Sequence, residues 1–178
     1  MKKKIIYLTG FMASGKSTYG RILANVLGWK FYDLDKLIEK REGKEIVDIF
    51  KEYGEQYFRE LETKVLKEIS DSENIVVALG GGTIVNDDNL TICKDSGVTI
   101  YLKCSVNTIF HRIRRKTTRP LFRDLIMQGK NKEIKEKITS MLAEREKYYK
   151  KADLIINTDK RSLGKTIDYI NHRLNKYI

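Results

Sequence analysis

The residues Gly10-Phe11-Met12-Ala13-Ser14-Gly15-Lys16-Ser17-Thr18 satisfy the spacing G-x-x-x-x-G-K-[ST]. Between a strand and a helix, such a loop turns successive backbone N–H groups inward and adds the dipole of the helix N-terminus. A polyphosphate is then held without a side chain for each oxygen. Glycine at 10 and 15 suits unusual backbone angles or close approach. Lys16 would reach the β- and γ-phosphates, and the Ser17 hydroxyl would coordinate Mg2+. Ala13, Ser14, Gly15, Lys16, Ser17 and Thr18 are thus the expected cradle for a nucleotide's phosphates.

Four further groups have chemistry in them. Asp33 and Asp35 flank Leu34 at the end of an expected strand. Alternation in an extended segment puts both carboxylates on one side, where they suit a metal ion or a transferring hydroxyl. Asp35 can equally cap a helix over residues 36–41. Gly80, Gly81 and Gly82 follow directly on an apolar run, either as a plain turn or to let a ligand approach the backbone. Glu62 falls inside the apolar helical stripe of Phe58, Leu61, Val65, Leu66 and Ile69, with Arg59 three residues before it. Arg145 likewise shares a stripe with Ile138, Met141, Leu142, Tyr148, Tyr149 and Ala152. Inward charges need partners: either internal salt bridges and snorkelling account for them, or the surplus of two arginines over one carboxylate awaits a carboxylate-bearing ligand.

The elements that must position these groups alternate along the chain, the pattern of an α/β domain with a parallel sheet. Strands are expected over residues 4–8, 30–33, 75–79, 98–103 and 154–157, several of them continuous apolar runs as in strands covered on both faces. Tyr19, Ile22, Leu23, Val26 and Leu27 form a helical stripe that Gly28 would end. Ile46, Ile49, Phe50 and Tyr53 form another, ended by Gly54 before the next helix begins. Residues 116–131 contain the only proline, Pro120, and show little periodicity, so a mobile loop is expected there.

Length and composition exclude several classes. The 178 residues, 41% hydrophobic, suit one domain with a real core spanning 1–178. The longest apolar run, 75–79, is far short of the roughly 20 residues of a membrane span. After Met1 and three lysines, four apolar residues meet Thr9-Gly10, too few for a secretory h-region, so a cytoplasmic protein is expected. Cys93 and Cys104 have no metal-like spacing and read as reduced packing residues. The net charge is +11, of which residues 112–151 carry +9, including Arg112, Arg114, Arg115, Arg119 and Arg123. Such a stretch serves nucleic acid, an anionic membrane or a phosphorylated small molecule, or is a solvated basic face. Phe122 is the one aromatic side chain between 112 and 147, which speaks against a base-stacking nucleic-acid binder.

Taken together, GFMASGKST, DLD at 33–35, FRELE at 58–62, GGG at 80–82, RPLF at 119–122 and EREKYY at 144–149 resemble the shikimate kinase family over nearly the whole chain. The resemblance implies an α/β fold of the P-loop NTPase type, three layers with a five-stranded parallel sheet, and a mobile lid over about 112–131. It implies transfer of the γ-phosphate of ATP to the 3-hydroxyl of shikimate, with Mg2+ held by Asp33 and Ser17. Catalysis would rest on Lys16, Asp35 and Arg119, with Asp35 orienting or deprotonating the attacking hydroxyl. Arg59 and Arg145 would grip the shikimate carboxylate, Gly81 with Gly80 and Gly82 would offer backbone N–H groups, and Glu62 would hold the arginines. Arg119 would swing onto the transferring phosphates, and Arg112 and Arg161 would bind the nucleotide. Shikimate and ATP would be the only partners of a monomer, with no nucleic acid or membrane. The nearest rival is another small-metabolite kinase with the same loop, acting on gluconate or a nucleoside monophosphate.

Overall fold

The computed structural model describes residues 4–115 and 120–178. Short apolar runs become β1 (Ile5–Thr9), β2 (Lys30–Asp33), β3 (Ile75–Ala78), β4 (Val98–Lys103) and β5 (Leu154–Asn157), all parallel, in the order β2-β3-β1-β4-β5. Because side chains alternate across a strand, the sheet buries both faces. Ile5, Tyr7, Val77 and Tyr101 enter one core with Phe58, Leu66, Cys93, Ile113 and Ile138. Ile6, Leu8, Val76, Ile100 and Ile156 enter the other with Leu23, Ile167 and Ile170. The helices that cover the sheet are α1 (Lys16–Leu27) and α8 (Leu163–Leu174) on the second face. The first is covered by α3 (Ile46–Ile69), α4 (Asp87–Ser96), α5 (Val106–Arg114) and α7 (Asn131–Tyr149). This is the expected three-layer α/β fold.

Register decides where chemistry can gather. Leu8 pairs with Ala78, and Ala78 with Asp33, so β1, β3 and β2 finish in one row. Gly10, Gly80 and Asp35 each lie two residues beyond that row. With β3 inserted between β1 and β2, the chain reverses its order here, and the crevice at the carboxyl ends of the strands is where open α/β sheets bind ligands.

As expected, Gly54 separates two helical segments within α3, its own backbone non-helical at φ 82° and ψ 174°. Other details differ from the sequence reading. A helix, α2 (Leu34–Glu42), starts two residues earlier than expected, and Asp33 rather than Asp35 stands at its N-cap, with no side-chain capping bond. The expected mobile loop holds an eight-residue helix, α6 (Pro120–Met127). Proline suits the first helical turn, where its missing N–H costs nothing. Phe122 is wholly buried in the core, Leu125 and Ile126 pack beside it, and the Lys137 ammonium on α7 donates to the Leu121 carbonyl (3.1 Å). The i, i+3, i+4 spacing of these three apolar residues was the legible signal. Cys93 and Cys104 are both buried, and burial pushes the Cys104 thiol up to about 11.

Candidate active site

The phosphate loop has the strained backbone its motif requires. Gly10 adopts φ 139° and Gly15 φ 102°. A Cβ on Gly10 would also stand 2.8 Å from the Leu102 carbonyl oxygen, so glycine is demanded there twice over. Ala13 shares the left-handed region (φ 62°), a cost normally found where function holds the backbone. Lys16 donates through Nζ to the carbonyls of Gly10 (2.8 Å) and Phe11 (3.1 Å), which keeps its charge at the mouth of the loop. Ser14 is fully buried, and its hydroxyl finds no hydrogen-bond partner among the described residues. Arg112 reaches across from α5, and its Nη1 donates to the carbonyls of Ala13 and Ser14, both at 3.0 Å. Its ground-state task is thus to fasten the loop.

At the first turn of α1, Ser17 Oγ donates to Asp33 Oδ2 (2.7 Å), bringing a hydroxyl and a carboxylate together beside Lys16. Asp35 lies one helical step further on. Burial, and next the charge of Asp33, raise its carboxyl to about 6, with Lys16 opposing and Glu62 and Glu39 adding smaller pushes. A carboxyl so placed can accept a proton near neutral pH. All three residues open into one cleft of about 960 Å3. Ala13, Gly15, Lys16 and Thr18 form its floor, Gly81 one wall, and Arg112, Arg115, Thr158 and Arg161 its far rim. The Arg161 guanidinium there stacks on the Tyr169 ring at 4.2 Å.

The glycine turn after β3 is the meeting point of the inward charges. A Cβ on Gly80 would stand 2.9 Å from Asp35 Oδ1 and 3.0 Å from Glu62 Oε1, so only glycine lets the two carboxylates approach the chain this closely. Gly82 lies under the Arg59 guanidinium, at 2.9 Å from Nη2 to the place of a Cβ. Gly81 presents its carbonyl to α7, where Arg145 Nη1 donates to it (3.3 Å) and the Tyr149 hydroxyl donates as well. Glu62 is 1% exposed and receives Arg59 Nη1 at 2.8 Å on Oε2, while Arg59 Nη2 extends to Glu55 (3.3 Å) near solvent. Arg145 has a neutral acceptor, and among the described residues no carboxylate forms an ion pair with it. Of the two arginines at the stripe positions, Arg59 is paired with carboxylates and Arg145 brings to the glycine turn a charge that no carboxylate among the described residues pairs.

The structure brings together, on two adjoining surfaces, every expected site residue that it describes. Ser14 is buried within the loop, and Arg59, Arg145, Gly80 and Gly82 flank the cleft rather than line it. Arg119 lies outside the described residues. Sequence reasoning missed Arg115 as a rim residue, Tyr149 as a donor to Gly81, and Thr83, which follows the glycines. Tyr149 read as core, which it also is, with its ring against Tyr101 at 5.1 Å; nothing in the sequence marked its hydroxyl.

The comparisons with known proteins agree with this geometry. The family model described as shikimate kinase matches residues 12–175. A shikimate kinase of Chloroherpeton thalassium is 45% identical, covering 99% of this chain and 95% of that relative. Among solved structures, shikimate kinase from Bacteroides thetaiotaomicron superposes with a TM-score of 0.88 at 33% identity, covering 97% of this chain and 98% of that one. Shikimate kinase from Acinetobacter baumannii in complex with shikimate gives 0.87 at 32% identity, over 98% and 94% of the two chains. A phosphate loop, a carboxyl poised near neutrality and two arginines closing on a glycine turn occur here within a chain similar to these enzymes from end to end, and the chain belongs to the shikimate kinase family.

Proposed function

We propose that this chain transfers the γ-phosphate of ATP to the 3-hydroxyl of shikimate. The observation that carries the reading is the convergence of Arg59 from α3 and Arg145 from α7 on the glycine turn that Asp35 also faces. Two guanidiniums beside a carboxyl group suit a substrate with a carboxylate at one end and a hydroxyl at the other. A nucleoside monophosphate or gluconate gives no comparable use to that pairing beside three glycines.

Phosphoryl transfer asks for alignment and neutralised charge more than covalent chemistry. Lys16 and the loop N–H groups would hold the β- and γ-phosphates. Ser17 and Asp33 offer hard oxygen donors at the loop, and among the described residues no cluster of three acidic, His or Cys side chains forms a closed cage. That donor set fits Mg2+, which keeps waters and phosphate oxygens in its shell and would supply charge neutralisation at the transferring group. Asp35 would take the hydrogen bond of the attacking hydroxyl and aim it. Arg59 and Arg145 would fix the far end of the ring through the carboxylate, with Gly80, Gly81 and Gly82 admitting the substrate to the backbone. Arg112 and Arg161 would bound the nucleotide, and Arg119, on a lid over about 112–131, would neutralise the phosphates as they transfer. The cleft is assembled from a single domain of one chain, which supports action as a monomer. No helix among the described residues is long and apolar enough to cross a membrane, and we place the protein in the cytoplasm, with no nucleic-acid or membrane partner. The test is ADP release from Mg-ATP with shikimate, gluconate and nucleoside monophosphates in parallel: dependence on shikimate alone is expected. Turnover with another acceptor and none with shikimate would overturn the reading.

A further inference from the structure

Glu62 divides its two oxygens between different partners. Oε2 takes Arg59, while Oε1 takes the hydroxyl of Thr83 at 2.6 Å. Thr83 is itself fully buried, in the 3₁₀ turn Thr83–Val85 that follows the glycines. Its backbone is pinned from the other side by Asn89 of α4, whose Nδ2 donates to the Thr83 carbonyl at 2.9 Å. The chain Asn89, Thr83, Glu62, Arg59 thus runs from a rigid helix to the guanidinium over Gly82.

We propose that Thr83 is a positioning residue for shikimate recognition, its hydroxyl holding Glu62 in the one orientation that aims Arg59 at the substrate carboxylate. The inference rests on the proposed shikimate kinase activity and goes beyond it. A carboxylate only 1% exposed that loses a donor must turn to find another, because a charged oxygen left without a hydrogen bond in the interior is costly. Arg59 is bound to the same carboxylate, and its own side chain is one-third exposed, so it follows Glu62 rather than resisting. The hydroxyl hydrogen-bonds to neither the phosphate loop nor Asp35 itself, and Glu62 adds only a smaller push on the Asp35 carboxyl, so nucleotide binding and the aim of Asp35 keep their geometry.

The experiment compares wild type, T83V and T83S for kcat, KM for shikimate and KM for ATP, with shikimate methyl ester as a second acceptor. Valine keeps the shape and deletes the hydroxyl; serine keeps the hydroxyl. T83V should raise the shikimate KM about tenfold, the scale of one lost hydrogen bond to a charged group, with kcat and the ATP KM within about twofold. T83S should restore the wild-type value. With the methyl ester, which carries no carboxylate charge, T83V and wild type should have equal kcat/KM. A purely structural role would move kcat, both KM values and the ester together, and so overturns the proposal, as does a T83V shikimate KM equal to wild type or a T83S as impaired as T83V. If T83V does not fold, T83A makes the same comparison against T83S. Wild type that ignores shikimate would instead overturn the functional reading itself, so the two failures are distinct.

Discussion

Alanine at position 82 probes the arginine pair without disturbing the backbone. Gly82 has φ −111° and ψ −5°, angles open to any residue, so the substitution adds a methyl group and no backbone strain. That methyl would stand 2.9 Å from Arg59 Nη2, 3.0 Å from Nη1 and 3.2 Å from Cζ. With both nitrogens nearer than Cζ, it would meet the Nη1/Nη2 edge of the guanidinium obliquely. Favourable contacts of carbon begin near 3.5 Å, so the group must retreat by about half an ångström or leave Glu62. One-third exposed, Arg59 has room to move, and the stability cost should stay near 0.5 kcal/mol. Function bears the change: a misplacement of about 1 Å can cost on the order of 100-fold, so half of it predicts about tenfold in kcat/KM for shikimate, expressed mainly as KM. The assay is ADP release coupled to NADH oxidation, varying shikimate and ATP separately, with thermal melting alongside. In an R59A background, G82A should add less than about twofold, because the group it displaces is gone. A wild-type shikimate KM for G82A, or full multiplication of the G82A and R59A effects, would refute the argument.

Other expectations follow from the same geometry. In the proposed role of drawing the hydroxyl proton Asp35 works only when ionised, and its carboxyl stands raised to about 6; on that role kcat should fall about tenfold per pH unit below 6, and a profile flat to pH 5 would remove Asp35 from it. Since that folded value lies above the ordinary 3.8, carrying the charge into the fold costs stability that is fully felt above about pH 6 and vanishes below about 3.8. D35N should thus melt higher than wild type at pH 7.5 and equal it near pH 4, while turnover drops at least about 100-fold; an unchanged Tm at pH 7.5 would contradict the burial argument. R119A should lower kcat with little change in shikimate affinity, and R59A should chiefly raise the shikimate KM; steady-state kinetics with the two effects exchanged would reverse the division of roles.

How much could be read in advance varied with the range of the interactions involved. The phosphate loop was legible because its mechanics are local: a strand, a strained turn and a helix N-terminus all lie within residues 5–27. Strands covered on both faces announce themselves as apolar runs, and all five fell within a residue or so of their expected positions. The stripes that carried Glu62 and Arg145 inward were equally plain, since a 3.6-residue period exposes any charge that breaks it. Gly54 ends the first helical segment of α3 as its stripe indicated, and Phe58, Leu61 and Val65 bury the segment that follows. The misreading sat where a local signal had two outcomes. Residues 120–127 form a helix although short, because Phe122 reaches the core laid down by α7 and the neighbouring elements.

From the sequence alone, then, came the phosphate loop, the element order and the fact that two arginines and a glutamate point inward. The tertiary structure decided what those charges meet. Strand order 2-3-1-4-5 brings the ends of β1, β2 and β3 into one row, and only then do Asp35, Gly80 and Glu62 share a few ångströms. Likewise the Thr83 hydroxyl on Glu62 and the Tyr149 hydroxyl on Gly81 join residues 21 and 68 positions apart. Periodicity encodes which face of an element is buried. Which groups then stand opposite one another follows from packing across the sheet, and one chain's list of residue types leaves that open until the layers close.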